Sequence, residues 1–426
     1  MRRVAGTLCV IACFGLLAAA PALAFDFIGA FGSPGSGNGQ INQPYGVAIS
    51  GGGTVFVADN GNNRIDEYNA SGAFLGTIGS AGSGDGQFNG PFGLALDGAG
   101  NLLVADSGNR RIEKFSPTGT FLTKWGTVGS LNGQFNSPTG VATDTQGNVY
   151  VADSGNNRIQ KFTPAGVFVA KWGSSGAGPG QFNDPSAVEV DAAGNVLVAD
   201  YLNNRIQKFT PDGTFLSQFG ATGTGNGQFN GPSGIGVDQA GNIWVADHDN
   251  ARVEKFAPSG AFISQIGSGG SGPGQFIYPT ALDFDCRGTL YVADAAPNNR
   301  VQKFGEAGIA PPPCSTAPSN AFSLGKLKRN LKKGTATLAV AVPGPGLLSL
   351  KGKGAVAQRP GADRGGALAK SVAVAGTAVL KIKAKGKQGR KLRLTGKVKL
   401  KLTISFTPTG GAAAAEAKTV VLKKSH

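Results

Sequence analysis

The sequence predicts an all-β chain: a six-bladed β-propeller closed by an N-terminal strand, followed by a small basic β-sandwich. Three observations predict it. Val-Ala-Asp recurs with its aspartates at Asp59, Asp106, Asp153, Asp200, Asp247 and Asp294, each 47 residues after the last, and a period of that size marks a propeller or solenoid. Each unit holds four runs of strand length, which is one blade. The sixth unit lacks the fourth run, and a spare copy of it stands ahead of the first unit.

The elements follow in order. Residues 1–24 read as a signal peptide. Met1-Arg2-Arg3 is a basic start, Val4 to Ala20 is apolar, and Ala22-Leu23-Ala24 is a small-x-small cleavage site. An uncleaved membrane anchor is the alternative for this segment. The propeller is expected over 25–305. A unit opens with Gly-Gln-Phe-Asn-x-Pro, as at Gly86 to Pro91 and Gly227 to Pro232, with Ile41 replacing the phenylalanine in the first. An apolar run follows, then a Gly-Asn turn such as Gly147-Asn148, and a second strand such as Val149 to Asp153. The loop Ser154 to Asn157 leads into Arg158 to Phe162, and a Thr-Pro-x-Gly turn precedes Phe168 to Trp172. Glycine, proline and asparagine stand where the chain must reverse, and Val, Ile and Phe fill the runs between. Phe27 lies 47 residues before Phe74. The segment Phe27 to Gly32 therefore supplies the missing strand of the last blade and leaves no open blade edge.

The string Asp-x-x-Asn-Asn-Arg-Ile-Gln-Lys-Phe, as in Asp153 to Phe162, resembles the NHL repeat, and all six units fit it over residues 25–305. The resemblance implies the propeller and says little of function. Its members include RNA-binding ligase subunits, extracellular sensor domains of bacterial kinases and a peptide-amidating lyase.

Each Val-Ala-Asp aspartate is followed by an arginine. The pairs are Asp59/Arg64, Asp106/Arg111, Asp153/Arg158, Asp200/Arg205, Asp247/Arg252 and Asp294/Arg300. A pair needed in all six blades serves the blade. The carboxylate is expected to accept backbone N–H bonds and to pair with the arginine across the hairpin. Asp97, Asp144, Asp191, Asp238 and Asp285 also repeat, but single carboxylates on separate blades do not make a calcium site. The histidines are His248 and His426, too few for the zinc set that the amidating lyases imply. No nucleophile elbow, P-loop or catalytic cysteine pattern is present. The chain is expected to be no enzyme and to need no metal or cofactor.

Function is expected where the repeats differ. The residue after the repeated proline reads Tyr45, Phe92, Thr139, Ser186, Ser233, Thr280. The hairpin after Val-Ala-Asp departs from its pattern at Arg110, Tyr201, His248 and Asp249. Tyr45, Phe92, Arg110, Tyr201, His248 and Asp249 are the candidate binding residues, for a protein, peptide or glycan partner.

Residues 306–320 read as a proline-rich linker and 321–426 as an immunoglobulin-like sandwich of about seven strands, from alternation such as Lys397 to Phe406. Residues 25–320 carry 15 Lys/Arg against 23 Asp/Glu, and residues 321–426 carry 23 against 2. So basic a domain attracts polyanions, and anionic cell-envelope polymers are the expected partner. Cys286 and Cys314 form an even pair in an exported chain, and a bridge between them would contribute roughly 3–4 kcal/mol. The whole reads as a secreted, monomeric interaction scaffold associated with the cell envelope. Alternatives are a propeller enzyme of lyase or lactonase type with a channel metal, and a nucleic-acid-binding propeller, which the export signal and the acidic propeller oppose.

Overall fold

The computed structural model describes residues 25–306 throughout and, beyond them, strand segments between 323 and 423. Residues 1–24, expected to be a signal peptide, and residues 307–322 with Cys314 lie outside the described residues.

Residues 25–306 form six four-stranded antiparallel blades. Blade 1 runs through Pro44–Ile49, Val55–Asp59, Arg64–Tyr68 and Phe74–Ile78. Blades 2 to 5 repeat that order, with first strands Pro91–Leu96, Pro138–Thr143, Pro185–Val190 and Pro232–Val237. Blade 6 takes Pro279–Phe284, Leu290–Asp294 and Arg300–Glu306 from the end of this region and Phe25–Phe31 from its start. Phe25 pairs with Glu306 and Phe31 with Val301, so the closing strand runs antiparallel along the whole third strand. That strand extends to Glu306, one residue past the expected boundary.

The first strands stand side by side in ring order, blade 6 returning to blade 1. One apolar core fills each of the six joints. Between blades 2 and 3, for example, Leu103, Ile112, Phe135, Val151 and Phe162 pack together, all fully buried. The repeated phenylalanines Phe88, Phe135, Phe182, Phe229 and Phe276, with Ile41 in their place in blade 1, sit at 0% exposure. Around the channel the first strands approach closely. A Cβ on Gly46, Gly93 or Gly234 would lie 2.2, 2.4 or 2.6 Å from a carbonyl oxygen of the next blade.

Beyond the propeller, eight strand segments form two four-stranded antiparallel sheets, with Lys397–Pro408 paired to Ala414–Lys423 in the second. Among the described residues no helix is long and apolar enough to cross a membrane.

Candidate functional site: the mouth of the central channel

The start of each first strand lies opposite the end of the second, as Pro44 does opposite Asp59. The loop into a blade and its 2–3 hairpin therefore share one end of the propeller, and that end surrounds the mouth of the channel.

The six Asp/Arg pairs build this end. In blade 3, Asp153 is fully buried and accepts from Asn136 N at 2.7 Å, Asn156 Nδ2 at 2.8 Å and Arg158 Nε at 2.7 Å. Arg158 also donates to the carbonyls of Ser130, Leu131 and Gln134 in the glycine-rich loop, at 2.6 to 2.9 Å. Arg64, Arg111, Arg205, Arg252 and Arg300 bind their own loops in the same way. Each pair is a latch between hairpin and loop. The second aspartate series closes turns: Asp97 Oδ1 accepts from Ala99 N and Asn101 N, both at 2.9 Å. Among the described residues no group of three metal-ligating side chains comes together.

The residue after the proline does two different things. In four blades it is a hydroxyl that staples its blade to the next. Thr139, Ser186, Ser233 and Thr280 donate to the carbonyls of Pro185, Pro232, Pro279 and Pro44, at 3.1, 3.0, 2.9 and 2.7 Å. Blades 1 and 2 give up that bond. Tyr45 and Phe92 instead stack on each other, centroids 4.4 Å apart and planes 12° apart, at the edge of the channel. Burial raises the Tyr45 phenol above its ordinary range.

A second aromatic group stands on the rim of blades 4 to 6. The first hairpin residue after the latch aspartate reaches the residue before the proline of the next blade. Ser107 Oγ meets Ser137 Oγ at 3.1 Å, and Ser154 Oγ meets Asp184. In blades 4 and 5 the same position holds rings. Tyr201 lies against Gly231, where an added Cβ would meet its ring at 2.8 Å. His248 stacks on Tyr278 at 4.7 Å and 16°, and Tyr201 meets His248 edge-on at 6.1 Å. His248 Nδ1 lies 2.7 Å from Asp249 Oδ1. Burial, then the carboxylates of Asp249 and Asp184, raises the Tyr201 phenol.

The candidates thus separate. Tyr45 and Phe92 make one group, and Tyr201, His248 and Asp249 another. Arg110 sits at φ 55°, a left-handed position that four blades fill with asparagine, and its guanidinium donates back to Gly108 O of its own hairpin. Tyr278 belongs to the second group and was not among the candidates.

Below the mouth lies a cavity of about 280 Å³ walled by the first strands. At the fifth position of these strands, where blades 1, 2, 3 and 5 carry Ala48, Ala95, Ala142 and Gly236, blades 4 and 6 carry Glu189 and Asp283. Asp283 Oδ2 accepts from Ile49 N across the closing joint at 2.8 Å, and Glu189 Oε1 accepts from Val190 N at 2.9 Å. Burial raises Glu189 to about 8 and Asp283 to about 7. Cys286 is disulfide-bonded.

Residues 135–162, 182–209, 229–256 and 276–304 match the NHL repeat, so the chain carries NHL repeats on a six-bladed propeller. No curated protein sequence matches the chain. Among solved structures it is similar to a protein of unknown function from Bacteroides thetaiotaomicron, at 20% identity over 67% of this chain and 76% of that one, TM-score 0.53. It is also similar to virginiamycin B lyase from Staphylococcus aureus, at 16% identity over 62% of this chain and 95% of that one, TM-score 0.44. A gluconolactonase from Xanthomonas campestris matches at 14% identity over 63% and 88%, TM-score 0.49. The first of these likenesses shows the fold. The expectation that the chain is no enzyme does not stand: the structures it is similar to include a lyase and a gluconolactonase. A shortage of histidines argues against one zinc chemistry, not against catalysis.

Proposed function

We propose that the channel mouth binds a small cyclic ligand with a flat C–H face, of the saccharide type, between the Tyr45/Phe92 stack and the Tyr201/His248/Tyr278 group. One observation carries this reading. At a position where four blades spend a hydroxyl on stapling the ring, the other two carry a stacked aromatic pair facing the channel. Aromatic faces are electron-rich and accept the polarised C–H groups of a sugar, while hydroxyls and carboxylates nearby fix its orientation. The partly buried setting of the rings suits a small ligand better than a broad protein surface.

The test is a saccharide panel titrated into the protein by calorimetry. Tyr45→Ser and Phe92→Thr install the residues of the stapling blades, so the fold is kept. Each is expected to weaken binding about tenfold, the loss of one stacking contact of roughly 1 kcal/mol or more. Unchanged affinity in the double variant refutes the reading.

A second reading, chemistry on the bound ligand, is favoured by the His248–Asp249 contact. The carboxylate orients the imidazole through Nδ1 and leaves Nε2 to take a proton. Turnover of lactones by the protein, lost in His248→Gln, is its test. The basic segment 321–426 is proposed to hold the exported protein on anionic envelope polymers. Binding to such polymers that does not fall with added salt would contradict that part.

A further inference from the structure

The position two residues beyond each latch arginine divides the blades into two sets. In blades 3, 4 and 6 it is glutamine: Gln160, Gln207 and Gln302. Each accepts through Oε1 from a loop N–H (Gly133, Gly180 or Gly274), at 2.9 Å in every case. Each donates through Nε2 to a loop carbonyl, that of Gln134, Gln181 or Gln275, at 2.6 to 2.7 Å. Gln160 and Gln207 also donate to the latch aspartates Asp153 and Asp200 at 3.1 Å.

In blades 1, 2 and 5 the position is an acid: Asp66, Glu113 and Glu254, all at 0% exposure. Glu113 and Glu254 keep the accepting half of the arrangement, from Gly86 N and Gly227 N at 3.1 Å. The donating half is missing. Asp66 Oδ1, Glu113 Oε1 and Glu254 Oε2 are buried without a hydrogen-bond partner. Asp66 Oδ1 and Glu113 Oε1 lie within 2.9 Å of arginine nitrogens, close enough for ion pairing but off the hydrogen-bond direction. A carboxylate has no proton to donate, whereas a carboxylic acid has one, as the amide of glutamine does.

The charged surroundings are these. Asp66 faces Asp59, Arg64 and the Tyr68 hydroxyl. Glu113 faces Arg111, Asp106 and, from the outer strand, Lys124. Glu254 faces Arg252 and Asp247. Burial first, and the latch aspartate beside it, holds each acid up at about 7 against the arginine's pull.

We propose that Asp66, Glu113 and Glu254 are proton-operated latches: protonated, they donate as glutamine does and hold the loops of blades 1, 2 and 5 closed; ionised, they loosen them. These loops lead into Tyr45, Phe92 and the strand after Gly231, and blade 5 also carries His248. Ionisation would therefore relax the ligand site itself, a role that rests on the mouth being that site. A carboxyl raised in the folded state favours the closed form at low pH, and this preference is lost as pH rises through about 7.

The six blades supply their own controls. Hydrogen exchange of the full chain is followed at pH 5.5 and 8.5, with rates corrected for the intrinsic effect of pH. Loop amides in 36–45, 83–92 and 224–233 are expected to lose protection about tenfold at the higher pH, and those in 130–139, 177–186 and 271–280 to hold theirs. Glu113→Gln should flatten the response of blade 2 alone. An equal response in all six loops, no response, or a Glu113→Gln protein still pH-sensitive in blade 2 overturns the latch. Saccharide binding at fixed pH tests the mouth separately: pH-insensitive loops with binding that depends on Tyr45 sink the latch only. Graded loops with no binding at any pH sink the mouth reading and confine the latch to loop stability.

Discussion

Arg158→Ala tests the energetics of the latch in a blade whose position two residues beyond the arginine is Gln160 and not an acid. The side chain is 6% exposed, and that of its partner Asp153 is at 0%. The substitution removes one bond to Asp153 at 2.7 Å and three to loop carbonyls. The carbonyls can turn to water, but Asp153 cannot. It keeps Asn136 N, Asn156 Nδ2 and Gln160 Nε2 as donors while losing its only paired cation in the latch. Breaking a buried pair from one side costs about 3–5 kcal/mol, and the three surviving donors place this case near the lower figure, about 3 kcal/mol. For a domain of this size that is a fall in Tm of roughly 6–12 °C. Urea unfolding read by linear extrapolation measures it. Asp153→Ala alone should cost at least as much. The double variant should cost less than the two together, with a coupling of about 2 kcal/mol or more, because it leaves no lone buried charge. A loss below about 1 kcal/mol, or a strictly additive cycle, would refute the reasoning.

Three further outcomes are expected. Gly93→Ala places a Cβ 2.4 Å from Thr139 O with no strain in φ to confuse the result, so it should destabilise by about 1–3 kcal/mol in the same unfolding assay through overpacking alone. Thr280→Val removes the staple to Pro44 O at the closing joint and should cost about 1 kcal/mol, whereas Tyr45→Ser, which adds a hydroxyl at the unstapled joint, should not destabilise. Asp97, Asp191 and Asp238 are held below their ordinary 3.8: burial opposes their ionisation, but side-chain bonds from Lys114, Asn195 and Asn242, with the other bonds to each, outweigh it. Their stabilisation is present above about pH 4 and lost as pH falls below it. Asp97→Asn should therefore lower the urea midpoint more at pH 6 than at acid pH, the difference shrinking as pH falls below the ordinary carboxylate range.

Much of the fold was legible because a fixed interval aligns every element with five copies of itself. The 47-residue spacing of Phe27 and Phe74 places the closing strand even though the strand it pairs with is about 270 residues away. The mouth was legible only in part. Tyr45, Phe92, Tyr201 and His248 are departures from aligned positions, but the stapling role of Thr139 or Ser186 needs a neighbouring blade's carbonyl, which no single unit contains. Tyr278 was legible as the aromatic among Gln43, Gly90, Ser137, Asp184 and Gly231, a position left uncompared. Glu189 and Asp283 stand out against alanine and glycine in the same way, yet their place in the channel follows from packing between blades. The alternation of glutamine with Asp66, Glu113 and Glu254 was visible too. What it lacked was knowledge that the position is wholly buried, which turns an ordinary polar exchange into a proton-dependent one.

The seam of the ring sets how the molecule answers to force. Phe25 lies opposite Glu306, so tension between residues 25 and 306 acts at one end of a single antiparallel pair of strands. Load then falls on the outermost hydrogen bond alone and passes to the next only when that one breaks. Such peeling needs far less force than sliding two strands lengthwise. As it advances, Phe25 leaves Trp244 and Phe31 leaves Tyr68, so the two joints beside the seam lose aromatic cover in turn. A pull across these two residues would open the ring first at that seam, with blades 2 to 4 still intact.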